Sequence, residues 1–148
     1  MMTQKKPVFS DLTHEESIAL LTRGNVGRLA FTFRDRVDIE PISYVYADGW
    51  LYARTSPGTK LVTVQHHPWV AFEVDELSGR FDWQSVVVRG TIYFLDDAGG
   101  EREAYGRAVE LLRTIDANAL TESDLVPHRT TLFRIHADDV SGRKASTD

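Results

Sequence analysis

Between Pro41 and Leu61 the chain reads PISYVYADGWLYARTSPGTKL. The second half of this stretch, Arg54-Thr55-Ser56-Pro57-Gly58-Thr59-Lys60, holds the residue types that bind an anion. A phosphate needs donors converging from several directions: hydroxyls, backbone N–H groups at a turn or helix N-terminus, and a cation. Thr55, Ser56 and Thr59 offer hydroxyls, Gly58 lets a backbone approach closely, and Arg54 and Lys60 carry charge. The same residues also suit an ordinary strand-to-helix connection with N-capping side chains and a solvated lysine. Composition alone does not separate the two.

Other chemistries find no carrier. The chain has no cysteine, which removes thiolate nucleophiles, disulfides and Cys-ligated metals together. It has no G-x-x-x-x-G-K-[ST] or G-x-G-x-x-G phosphate loop, and no G-x-S-x-G nucleophile elbow. The histidines are His14, His66, His67, His128 and His136, with no H-x-x-x-H spacing, so no metal site is expected. Asp75 and Glu76 read as a solvated loop rather than an acid–base pair. An enzyme without its own nucleophile, metal or acid–base pair borrows its chemistry from a cofactor. Most aromatics read as core; Trp83, followed by polar Gln84 and Ser85, is the better site candidate.

These residues need a scaffold. At 148 residues, 42% hydrophobic and 26% charged, the chain fits one globular domain. A formal net charge of −5 argues against bulk nucleic-acid binding, which needs a positive field. No run approaches the apolar length of a membrane span, and the N-terminus lacks the apolar core of a secretory signal, so a cytoplasmic location is expected. Thr13 to Glu16 has capping-box spacing and predicts a helix over 13–23. Alternation then predicts strands over 26–33, 37–46 and 50–55, the last two joined by Asp48-Gly49. Pro41 marks an edge or bulge, since proline donates nothing to a ladder. A helix over 59–66, a strand over 69–74, a loop over 75–79 and a long strand over 83–95 follow. Gly90 inside that strand marks a bulge or the close approach of another backbone. A helix over 101–115, with Ile115 on its buried side, precedes a last strand over 129–136. The expected fold is mainly β: six antiparallel strands in a closed or nearly closed barrel with peripheral helices. Residues 1–11 read as an arm, 12–140 as the single domain and 141–148 as a frayed polar tail.

The order of the pieces is informative. The segments GRLAF, PISYVYADGWLY, TSPGTKL, VAFEVDE and WQSVVVRGT occur in sequence over residues 12–136. Together they resemble the pyridoxamine 5'-phosphate oxidase-like flavoproteins, in particular the short branch that includes nitroimidazole-resistance-type reductases. The resemblance implies a split β-barrel that binds FMN non-covalently in a cleft between the two subunits of a homodimer. Lys60 with Thr55 and Ser56 looks like the phosphate site. Pro41, Ile42, Ser43 and Tyr44 look like the strand along the isoalloxazine ring. Trp83, Ser85 and Val86 resemble the segment closing the pocket, with the second subunit as a candidate source. Arg54 stands where many members of the branch carry His, and arginine still suits a phosphate.

The implied activity is an FMN-dependent oxidoreductase that reduces a small electron-poor substrate, a nitro compound or a quinone, by flavin hydride transfer. A deazaflavin-dependent reductase and a non-enzymatic flavin- or haem-binding protein are the alternatives. A deazaflavin tail would call for more basic residues than Arg54 and Lys60 supply. After His136 only ADDVSGRKASTD follows, without the paired-arginine extension of the oxidase proper, which speaks against oxidation of the vitamin itself.

Overall fold

The computed structural model describes residues 5–58, 61, 64 and 68–147. The order is β1 (Val8–Asp11), α1 (His14–Arg23), β2 (Val26–Phe33), β3 (Arg36–Ala47), β4 (Trp50–Thr55), β5 (Trp69–Gly79), β6 (Asp82–Leu95), α2 (Arg102–Leu112), β7 (Thr131–His136) and β8 (Asp139–Ser146). The fold is mainly antiparallel β. Six strands close on themselves in the order β6-β5-β2-β3-β4-β7, with β7 returning to β6, and β8 and β1 extend outward from β6. This ring of paired strands agrees with a split barrel.

Local signals account for the ring. In β2, Gly27, Leu29 and Phe31 are buried while Val26, Arg28 and Thr32 are exposed, the period of two that one covered face requires. Asp48 (φ 51°) and Gly49 (φ 86°) both take the left-handed conformation between β3 and β4, as a two-residue hairpin turn demands. Thr13 and Glu16 form the expected capping box, with Glu16 N–H donating to Thr13 Oγ1 at 3.1 Å and Thr13 N–H to Glu16 Oε1 at 2.9 Å. At Gly90 a Cβ would collide with the backbone carbonyl of His136 on β7, so glycine there permits the approach of a neighbouring backbone.

The two longest strands each serve two neighbours. β3 pairs with β2 from Arg36 to Ser43, then with β4 from Tyr44 to Ala47. β6 pairs with β8 over Trp83 to Arg89 and with β7 over Ile92 to Leu95. The main core fills the ring with Leu29, Phe31, Tyr44, Phe72, Val74, Val86, Val88 and Phe133, and Leu20 and Leu21 of α1 join it. A second cluster, of Tyr52, Leu95, Ala108, Leu111, Leu112 and Leu132, attaches α2 to β4, β6 and β7.

Several expectations are corrected. Among the described residues the sheet holds two strands beyond the expected six of the ring: the arm contributes β1 and the polar tail contributes β8, paired Val8↔Ser146 through Asp11↔Arg143. Asp75 to Gly79 is not a loop but continues β5 against β6, with an irregularity between Leu77 and Gly79. α2 stops at Leu112, so Ile115 lies beyond it and is 40% exposed. Of the helix expected over 59–66, only Leu61 and Val64 are among the described residues, and both are buried.

Candidate functional site

Where β3 and β4 part, a cavity of about 300 Å³ opens, at the lower end of the roughly 300–1,000 Å³ of small-molecule sites. Before Tyr44, β3 is bonded to β2 alone, so its other edge is free at Pro41 and Ser43. Tyr44 N–H donates to Asn25 O at 3.0 Å, which fixes the alternation. It turns the Pro41 C=O and the Ser43 N–H away from β2, toward the opening. Proline suits this place because its missing N–H would have pointed out of the ladder. Pro41, Ile42 and Ser43 line one side; Arg54, Thr55 and Ser56, at the end of β4, line the next.

The far wall comes from the end of α2 and the irregular segment after it. Leu112, Ile115, Asp116, Ala119, Val126, His128 and Arg129 face the same cavity. What fixes this segment is a buried ion pair. Arg54 Nη1 and Nη2 donate to the two oxygens of Asp124 at 2.6 and 3.1 Å, with side chains 9% and 2% exposed. Arg54 Nη2 also reaches Asp116 Oδ2 at 3.3 Å, and Nη1 the carbonyl of Arg129 at 3.3 Å. The backbone N–H groups of Leu120 (2.8 Å) and Val126 (3.0 Å) complete the shell of Asp124. The Arg54 guanidinium, then these two amides, hold the Asp124 carboxyl well below the usual carboxylate range. The cavity lining thus combines apolar side chains (Ile42, Leu112, Ile115, Ala119 and Val126) with hydroxyl and charged ones, among them Thr55 and Ser56 where β4 gives way to its loop.

Of the residues singled out in sequence, the structure brings Pro41, Ile42, Ser43, Arg54, Thr55 and Ser56 together here. Lys60 lies outside the described residues. Tyr44 points into the core: its hydroxyl donates to Leu21 O at 2.8 Å, its ring meets Phe72, and burial pushes the phenol far above its ordinary pKa. Trp83, Ser85 and Val86 do not border this cavity. Val86 is fully buried inside the ring. Ser85 projects from the outer face and donates to Glu73 Oε2 at 2.7 Å; burial, ahead of the neighbouring Asp75, raises the Glu73 pKa. Trp83 packs against Phe9 with ring centroids 6.3 Å apart. Of the lining residues missed in sequence, Glu40 lies on β3 beside Pro41, and the others lie between Leu112 and Arg129, nearly all beyond the end of α2, where no hydrophobic period marks an element. The one available signal was Asp116 and Asp124 as counter-charges for an arginine leaving a strand. Among the described residues no group of three or more His, Cys, Asp or Glu is placed to hold a metal, and no helix is long and apolar enough to cross a membrane.

Comparison with known proteins gives a family-level match. The model of a family described as pyridoxamine 5'-phosphate oxidase matches residues 13–144. The chain is 32% identical over 79 residues to an uncharacterised protein of Rhizobium meliloti (strain 1021), covering 53% of this chain and 52% of that protein. That match therefore spans about half the length of the curated relative. A solved FAD-binding protein from Mesorhizobium loti is 34% identical with a TM-score of 0.76, covering 94% of this chain and 99% of that one. The FAD binding protein from Mycobacterium smegmatis shares the fold at 24% identity, TM-score 0.68, covering 91% and 99% of the two chains.

Proposed function

The chain belongs to the pyridoxamine 5'-phosphate oxidase family, and from that premise we propose that it is a flavin-dependent oxidoreductase. In this reading FMN occupies the cavity between β3 and β4, and the substrate is a small electron-poor molecule such as a nitro compound or a quinone. The observation that carries the reading is the mixed lining of that cavity, apolar side chains together with hydroxyls at the end of β4. Ile42, Leu112, Ile115, Ala119 and Val126 offer contact to a flat apolar ring, and Thr55 and Ser56 offer hydroxyls where a phosphate would lie. The residues present therefore fit the group.

A bound flavin supplies two-electron redox chemistry. The chain's own residues bind, orient and exclude water. The open edge of β3 gives the Pro41 carbonyl and the Ser43 N–H to the polar rim of a ring, fixing its plane. Lys60 joins Thr55 and Ser56 at the phosphate. Trp83 and Ser85 close the pocket from a second copy of the chain. Support for a homodimer comes from the outer face of β2, β3 and β5, where Val37 (78%), Trp69 (65%) and Ile39 (62%) are unusually exposed for large apolar residues.

FAD in place of FMN is the second reading, favoured by the FAD-binding relative at 34% identity. Heat release and chromatography of the bound chromophore separate the two. FMN is expected, and turnover with a nitro or quinone acceptor and NAD(P)H should follow. A colourless protein that gains no flavin absorbance on incubation with FMN or FAD sinks both. A bound flavin that NAD(P)H never reduces, and that passes nothing to either acceptor, removes the oxidoreductase and leaves a binding protein.

A further inference from the structure

We propose that Arg129 is a cation that receives the phosphate of the bound flavin nucleotide, and that Arg54 positions the site rather than binding the ligand. The inference rests on the flavin reading above and assigns a residue of that same cavity.

Arg54 is already committed. Its terminal nitrogens donate to both oxygens of Asp124, to Asp116 and to the carbonyl of Arg129, and its side chain is only 9% exposed. Two carboxylates against one guanidinium leave no net positive charge. An incoming phosphate would have to displace a buried carboxylate and strand it unpaired, which is strongly unfavourable. Arg129 differs on each count. It is exposed where it lines the cavity, and among the described residues its side chain enters no ion pair. Its backbone is nonetheless fixed: the N–H donates to Val126 O at 3.0 Å and the carbonyl accepts from Arg54 at 3.3 Å. The position is held while the charge stays available.

The ladder brings Arg129 to the phosphate end. Thr55 pairs with Thr131 as the last rung between β4 and β7. One step beyond that rung, Ser56 leaves β4 on one side and Thr130 and Arg129 approach β7 on the other. Arg129 and Ser56 therefore flank the same end of the cavity, with His128 on its lining as well. From this backbone position the Arg129 guanidinium is within reach of the hydroxyl-bearing strand end, and a cation converging with hydroxyls is the arrangement that a phosphate requires. The Arg54–Asp124 pair holds the segment that carries it.

Titration of the flavin-free protein with FMN and with riboflavin, which has the same ring and no phosphate, tests this. Wild type should prefer FMN. Arg129→Gln should lower FMN affinity about tenfold or more, the effect of one charge-assisted hydrogen bond, and leave riboflavin affinity unchanged. Arg129→Lys should recover part of the loss. Intact FMN preference in Arg129→Gln overturns the assignment, and so does an equal loss for both ligands, which would mean a packing role. Since Arg129 is exposed, circular dichroism should match wild type. A wild type that binds neither ligand is a separate result: it removes the flavin reading itself.

Discussion

Arg54 and Asp124 carry the most consequence per residue. They are 70 positions apart and neutralise each other where strand end, irregular segment and cavity meet. Asp124 is ionised in the folded chain because Arg54 and two backbone amides all favour the charged form. Its folded pKa is depressed, so its stabilisation is fully present above the ordinary carboxylate range and is lost as pH falls through the folded value. Asp124→Asn should therefore lower Tm at neutral pH, and the gap to wild type should close as the medium is acidified. Thermal melts of both proteins across the acid range measure this. A gap that does not change with pH would mean that packing, not ionisation, is what Asp124 provides. The pair was hidden in sequence because nothing local links an arginine in LYARTS to an aspartate in TESDL. Arg54 read as a phosphate ligand until its carboxylate partners were known.

At the scale of elements, legibility followed local periodicity. The ring strands were readable from alternation, as in β2, or from short apolar runs beside turn signals, as in β4 after Asp48-Gly49, and Pro41 marked a real edge because β3 changes partners just beyond it. β1 and β8 were not readable. VFSD is too short to show a period, and β8 (DVSGRKAS) looks like a tail because only Gly142 and Ala145 in it are buried. β8 is held by pairing to β6 and β1 by pairing to β8, interactions no local pattern encodes. The segment between α2 and β7 was opaque for the same reason, and with it half of the cavity lining. Gly90 was the exception, a single residue that reported a tertiary contact. Gly90→Ala should force β7 away from β6 and cost about 1–3 kcal/mol, the range for overpacking, read by urea denaturation. Gly79→Ala, in the same hairpin, would put its Cβ no closer than 3.8 Å to another group, and it should stay near wild type. Equal effects at the two positions would show that loss of glycine flexibility, not the backbone approach, sets the cost.

For the whole molecule, the outer face of the sheet and the cavity form one continuous surface. Cross-strand rows run Ile39–Ala30–Ala71–Arg89 and, beside it, Pro41–Arg28–Glu73–Val87. The apolar patch of Val37, Ile39 and Trp69 therefore lies one row from the cavity rim at Pro41. Ser85 and Trp83 lie on the outward side of β6, while Val86 points inward. A second copy laid on this face would cover the patch and bring its own Ser85 and Trp83 toward the first copy's opening, which is why the proposed dimer and the proposed flavin site stand together. Ile39→Lys with Trp69→Arg places two charges on the patch. Because both side chains are exposed in the single chain, the monomer's own stability should move by only about 0.5 kcal/mol per site. Light scattering should then show a dimer for wild type and a monomer for the variant, and the variant should release flavin on gel filtration. A wild-type monomer overturns the dimer proposal. A monomeric variant that keeps its flavin would confine the whole site to one chain, with the wall at Ile115 to Arg129 doing the work assigned to the second copy.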